Sequence, residues 1–265
     1  MILGVELGPW DEPSPIKLWA DMVATASAAV ASGFRLLALP AQRWAGAPTA
    51  LQPLEAASAL AEHLPPGVTL VTGPLLVAAS HPVDTAEQIA TVQHATAGAL
   101  IVEIRSHASA AEVAPFGLDE HEIRARTREA LGVWRQVWFD DVVDHSGRFY
   151  RVPTARPTLR LFEGEAPLMA LTAQSSEDVD MAVELAVGLT VASGSFPDDG
   201  WAAAVARCRR AGQPVVARIP TPLTDDPSGM VDRYVTAGFD HLVLQFARTP
   251  TEALLSRTWA DVTDG

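Results

Sequence analysis

Eight short runs of aliphatic and β-branched residues punctuate the chain, at 2–8, 35–40, 68–72, 99–105, 168–173, 188–193, 214–219 and 241–246. Each is short enough for a strand and rich enough in Val, Ile and Leu to be buried. Between them apolar residues return every three or four positions, the spacing of one helix face, near 14–32, 50–63, 82–96, 119–139, 175–186, 199–211, 227–237 and 250–260. The series Ile123, Thr127, Ala130, Leu131, Trp134 and Trp138 shows the period most clearly. Gly33, Gly212 and Gly238 each follow such a stretch, where a helix commonly ends on a left-handed glycine.

Eight strand–helix units with no break in composition predict a (β/α)8 TIM barrel, an α/β fold, as one domain over residues 1–265. A doubly wound open sheet is the other architecture this alternation allows. It lacks support from a dinucleotide fingerprint, because GVELGPWDEP after the first strand has the wrong glycine spacing and a proline. Only 140–167 breaks the rhythm. There DDVVDHSGRFYRVP reads as a small hairpin turning at His145–Gly147, an excursion between units four and five.

The fourth run, in GALIVEIRSH, sets two charges into an apolar strand. Alternation places Ile101, Glu103 and Arg105 on one face and Leu100, Val102 and Ile104 on the other. In a closed parallel barrel the first face points inward, and its C-terminal end lines the mouth where such folds do chemistry. The same geometry sends Glu6, Gln174, Arg218 and Gln245 inward. Two carboxylates and two guanidiniums sharing an interior have to pair to stay charged. They serve either as a buried ion network that fills the barrel or as a pocket that orients a ligand.

Composition narrows the chemistry. Apolar residues make up 48% and charged residues 19%, enough for a substantial core. A formal charge of −13 argues against sequence-independent nucleic-acid binding, which needs a basic face. The only lysine, Lys17, lies near a helix start, so Schiff-base chemistry has no well-placed amine. The only cysteine, Cys208, excludes an internal disulfide and a thiolate zinc cluster. No His-x-His or His-Glu-x-x-His spacing supports a hydrolytic metal centre. Of seven histidines, His107 at the end of strand four is the acid/base candidate, while His94 suits a helix C-terminus. No leader pattern opens the chain, and no apolar run approaches the ~18 residues of a membrane span, so a cytoplasmic location is expected.

Longer segments add a likeness. GPLLVAASHPVDTAEQIATVQHATAGALIVEI, then REALGVWRQVW, GRFYRVP and APLMALTAQSSEDVDMAVELAVGLTVAS, follow one another in an order and spacing that resemble the bacterial luciferase-like flavin-dependent monooxygenases over most of 1–246. The resemblance implies a (β/α)8 barrel that takes FMN, supplied reduced by a separate reductase, or the deazaflavin F420, in its C-terminal mouth. It implies a cis peptide at Gly73–Pro74 and a flavin phosphate at Ser175 and Ser176, beside Gln174. It puts Ser106 where relatives often have a phosphate-binding arginine.

The chain departs from that pattern in places. Glu103 and His107 stand where relatives tend to have glycines, and Ala41, Gln42 and Arg43 where acidic and histidine residues are frequent. Trp44 could stack on a ring or pack a loop. Glu177, Asp178 and Asp180 crowd the phosphate position, and Ser175 with Asp178 also spells a capping box. The implied activity is a flavin-dependent oxidoreductase acting on a small organic substrate, a monooxygenase with reduced FMN or a hydride-transfer enzyme with F420. Glu103, Arg105 and His107 are its polar groups. A flavin-free ligand-binding or partner subunit, and a non-redox acid/base enzyme, remain open. Relatives commonly pair, and the apolar helix at 50–63 offers a face for a homodimer.

Overall fold

The computed structural model describes residues 2–8, 15–41, 50–192, 200–221 and 227–263. The first four barrel strands are β1 (Ile2–Glu6), β2 (Leu36–Leu39), β3 (Thr69–Leu75) and β4 (Leu100–Arg105). A separate hairpin, β5 (Val143–Ser146) and β6 (Arg151–Ala155), follows. The barrel resumes with β7 (Leu168–Ala173), β8 (Gly188–Ala192), β9 (Val215–Thr221) and β10 (His241–Phe246). All eight barrel strands pair in parallel, and β1 closes the ring by pairing with both β2 and β10. The fold is a (β/α)8 TIM barrel, as the alternation of strand and helix patterns predicts.

Helices α1 (Pro15–Ser32), α2 (Pro53–Ala61) and α3 (Pro82–Ala95) follow the first three strands. The short α4 (Ala110–Val113) and the long α5 (Ile123–Phe139) both follow β4. The last four strands lead into α6 (Ser176–Glu184), α7 (Gly200–Arg210), α8 (Pro227–Thr236) and α9 (Glu252–Thr263). Among the described residues, no helix is long and apolar enough to cross a membrane.

Alternation along the strands produces two concentric cores. Leu37, Leu39, Val102, Ile104, Leu171, Leu242 and Leu244 point outward into the main cluster, which the helices complete with Phe34, Ile89 and Trp134. Leu36, Ala38, Val71, Ile101, Ala170, Val216 and Val243 point inward and fill the barrel with a second, smaller cluster. Trp138 spans the α5–α3 contact, its indole N–H donating to the Ala86 carbonyl at 3.1 Å. Pro53, Leu54, Ala56, Ala57 and Leu60 of α2 are buried within the chain, while Ala59 is exposed and Ala61 half-buried.

Several boundaries differ from the sequence reading. β3 runs on to Leu75, because the chain continues through a cis Gly73–Pro74 bond and resumes pairing with β4 at Ile104. The helical pattern at 50–63 narrows to Pro53–Ala61, starting at a proline that suits a first turn. α4 is too short to show a period, and a serine–glutamate capping box at Ser109 and Glu112 holds it.

The hairpin turns at Gly147–Tyr150, later than expected, because His145 and Ser146 already pair with Val152 and Arg151. Glu129 of α5 fixes that turn. Its carboxylate accepts the backbone N–H groups of Arg148, Phe149 and Tyr150 at 3.1, 3.1 and 2.8 Å, and meets the His145 ring at 3.1 Å. Burial alone would raise the Glu129 carboxyl, but the donors from Tyr150, His145 and Phe149 outweigh it and bring the group below the ordinary range. Glu129→Ala should strip hydrogen-exchange protection from the amides of 148–150 while leaving those of β4 unchanged. Unaltered protection at 148–150 would show that the hairpin stands without the carboxylate.

Candidate functional site

Above the inward apolar layer the strands present a charged one. Glu6 ends β1, Glu103 lies two residues beyond Ile101 on β4, Arg218 two beyond Val216 on β9, and Gln245 two beyond Val243 on β10. Arg218 sits between the two carboxylates. Its Nε donates to Glu103 Oε2 at 2.8 Å, its Nη2 reaches the same carboxylate and the Gly73 carbonyl at 3.0 Å, and its Nη1 pairs with Glu6. Thr190 donates to Glu103 Oε1 at 3.0 Å, and Gln245 donates to Glu6 Oε2 at 2.9 Å. Glu103 is 0% exposed, Arg218 5% and Glu6 6%. Burial would drive the guanidinium toward the neutral form, but the Glu103 and Glu6 carboxylates overcome it and raise its pKa.

Gly73 belongs to this layer through its backbone. Its φ is +121°, and a Cβ there would collide with the Glu103 carbonyl oxygen. Only glycine lets β3 come so close to β4.

A cavity of about 560 Å³ opens over the charged layer at the C-terminal mouth. Glu6, Arg218 and Gln245 form its floor, and Pro74, Arg105, His107, Thr172 and Gln174 stand in its wall. Arg105 does not join the interior network. As the last residue of β4 it reaches outward to Glu112 of α4, Nη1 to Oε1 at 2.6 Å. The expected pairing of two carboxylates with two guanidiniums is thus corrected to two carboxylates around one, with Arg105 balanced at the rim. Glu112 also accepts the Ser109 N–H and hydroxyl at 2.9 Å each.

Among the described residues, three polar atoms of wall residues are buried with no hydrogen-bond partner: Arg105 Nε, His107 Nδ1 and Thr172 Oγ1. Buried polar groups ordinarily find a partner, so within those residues the wall is where hydrogen bonds are unmet. Burial lowers the His107 pKa, with Arg105 and Arg124 adding to the shift and Asp178 opposing it.

Beside this wall, Asp178 occupies the N-terminus of α6. Its Oδ2 accepts the Gln174 N–H at 3.0 Å and the Ser175 N–H and hydroxyl at 3.1 Å each. Its Oδ1 accepts the Ser106 hydroxyl at 2.8 Å and Arg124 Nη2 at 3.1 Å. Burial would raise this carboxyl, yet the Gln174 amide, Ser106 and Arg124 hold it below the usual range. The capping-box reading of Ser175 and Asp178 is what forms. The amide and hydroxyl of Ser175 face a carboxylate of the chain, and Ser176 is exposed beyond it.

Glu103, Arg105, Ser106, His107, Gly73, Pro74, Gln174 and Ser175 are thus gathered at one mouth, though in three hydrogen-bonded groups. Sequence reasoning missed Glu112, Thr172, Thr190 and Arg124, each recruited from another element. Thr172 and Thr190 carry the one available signal, an inward polar position on their strands. Gln42, Arg43 and Trp44 lie outside the described residues. His81 caps α3, accepting the Val83 N–H, and His94 meets the Arg160 carbonyl at 2.9 Å, away from the mouth.

No curated protein sequence matches the chain. Solved structures do. A monooxygenase of Streptomyces bottropensis superposes with a TM-score of 0.80 at 19% identity, covering 100% of this chain and 98% of that one. Coenzyme F420-dependent tetrahydromethanopterin reductase of Methanopyrus kandleri gives 0.76 at 16%, covering 99% and 98%. The oxygenating constituent of 3,6-diketocamphane monooxygenase of Pseudomonas putida, solved with FMN, gives 0.70 at 16%, covering 82% and 66%. At these identities the likeness is one of fold. The luciferase-like monooxygenase family model matches residues 2–259, nearly the whole barrel, and the chain belongs to that family.

Proposed function

We propose that the chain is an oxidoreductase that holds a flavin or deazaflavin ring in the C-terminal cavity and acts there on a small organic substrate. The observation that carries the reading is the cavity of about 560 Å³ at the C-terminal mouth, lined by the polar side chains of Glu6, Arg105, His107, Thr172 and Gln245. That volume lies within the range of ligand sites, roughly 300–1,000 Å³. Family membership and neighbours that bind FMN or F420 point to the same class of ligand.

The ring end fits and the phosphate end does not. A phosphate at Ser175 would meet the Asp178 carboxylate, already bound to the donors an anion needs. The ligand's anionic tail therefore lies away from Ser175 and Ser176, and riboflavin should serve as well as FMN in binding.

When bound, reduced FMN supplies electrons for oxygen chemistry and reduced F420 supplies a hydride. The protein's part is position and electrostatics. Glu112 locks the Arg105 guanidinium across the rim, where its positive charge stands beside the cavity. Burial favours the neutral form of His107, in which the imidazole can offer one hydrogen bond without adding charge, or take up a proton and become cationic. Reduced FMN would arrive from a separate reductase. The Asp178 plug also favours a second reading, a family member that binds a ligand without flavin redox.

Titration of the protein with FMN, reduced FMN, riboflavin and F420, followed by absorbance and fluorescence, separates these readings. Expected is micromolar or tighter binding of one ring system, weakened by His107→Ala and unaffected by His94→Ala, with FMN and riboflavin alike. Binding of none of them would overturn the oxidoreductase reading. A large FMN preference over riboflavin would return the phosphate to α6.

The His107 ring should titrate below about 6.5, the ordinary histidine value, in NMR spectra of its carbon-bound protons. Since the unfolded chain binds that proton more readily, the contribution to stability is full above the ordinary value and falls as pH drops below it. A midpoint at or above the ordinary value would contradict the burial argument.

A further inference from the structure

Glu103 and Glu6 share one guanidinium, and their environments differ. Glu103 is sealed and takes two Arg218 nitrogens and the Thr190 hydroxyl. Three donors converge on it, more than reach Glu6 among the described residues. Glu6 takes one Arg218 nitrogen and the neutral amide of Gln245, both on Oε2, and borders the cavity. β2 opposes it with Ala38. Among the described residues, Arg105 of the cavity wall is spent on Glu112.

With both glutamates ionised the layer would hold one net negative charge almost out of reach of water. An uncompensated buried charge is strongly unfavourable, and one proton removes it. We propose that Glu6 rests as a neutral carboxylic acid at the cavity floor and exchanges its proton with oxygen atoms that the cavity receives. In that exchange the Glu6 O–H bond breaks and its electron pair stays on the carboxylate, which Arg218 and Gln245 already contact. The proton bonds to an incoming oxygen that carries negative charge. The layer passes from neutral to one negative charge while the ligand loses one, and a proton delivered as hydronium from solvent at the mouth restores the acid and leaves water.

The electrostatics of the layer agree. Burial raises the Glu6 carboxyl above the ordinary glutamate value and the Glu103 charge adds to the rise, against the lowering by Arg218 and Gln245. A group of this kind is the general acid that chemistry near neutral pH requires. Its role toward a bound cofactor or substrate rests on the oxidoreductase reading, but the resting proton and its exchange do not.

Infrared spectroscopy of the ligand-free protein at pH 7.5 decides the matter. Other carboxyl groups are ionised there, so the wild type should show one protonated-acid C=O band, absent from Glu6→Gln, which copies the shape of the neutral acid. The band should move at once on transfer to D2O and fade only at alkaline pH. A wild type without the band overturns the proposal, as does a band that survives in Glu6→Gln, which would put the proton elsewhere. A band that resists D2O for hours would mean a sealed proton, and the exchange would be overturned. Failure of every flavin to bind would sink the oxidoreductase reading and leave these three results unchanged.

Discussion

The Arg218 guanidinium is the contact on which the upper half of the barrel depends. It reaches β1 through Glu6, β3 through the Gly73 carbonyl and β4 through Glu103 from its own place on β9. Below it the interior is filled by aliphatic side chains, and above it the cavity opens. One cation therefore ties strands from opposite sides of the ring and draws the line between packed core and site. A hydrophobic layer would close the barrel with less desolvation cost, since buried ion pairs are weak sources of stability. A charged floor under a cavity is better understood as a feature of the site.

Asp178 shows the opposite arrangement nearby. Helix N-termini attract anions because their N–H groups lack partners. Here the chain supplies its own anion, and Ser106, Arg124, Gln174 and Ser175 all turn toward it. Among the described residues the mouth thus contains one anion position that is filled and one wall, around His107 and Arg105, with unmet hydrogen bonds. Under the proposed flavin-binding reading, this contrast shifts the weight of recognition from a phosphate to the ring and substrate.

The barrel was legible because its signal is local. Period-two and three-residue spacings mark strands and helices, and parallel pairing with short connections leaves few ways to arrange eight units. Inward positions were legible by the same count, so Glu6, Glu103, Arg218 and Gln245 could be placed together from their strands alone. Arg105 shares their parity, and its different fate turns on Glu112, which sits on a helix of four residues, too short to show a period. Asp178 looked like a local cap, and its bonds to Ser106 and Arg124 cross 72 and 54 positions of chain. Glu129 likewise gathers amides 19 to 21 residues away, which moved the hairpin turn from where Gly147 alone would put it. What the sequence hides is the choice of partner, because a charge can reach several neighbours and packing decides among them.

The direct test of the Arg218 layer is the unfolding free energy of Arg218→Met and of Glu103→Met, each alone and the two together. Removing the guanidinium alone leaves Glu103 sealed and unpaired, and a loss of about 3–5 kcal/mol is expected. Removing both leaves no sealed charge except Glu6, which can hold a proton, so most of that loss should be regained. A double variant as unstable as the sum of its two single changes would show that the residues act independently. The layer would then not be the unit on which the mouth is built.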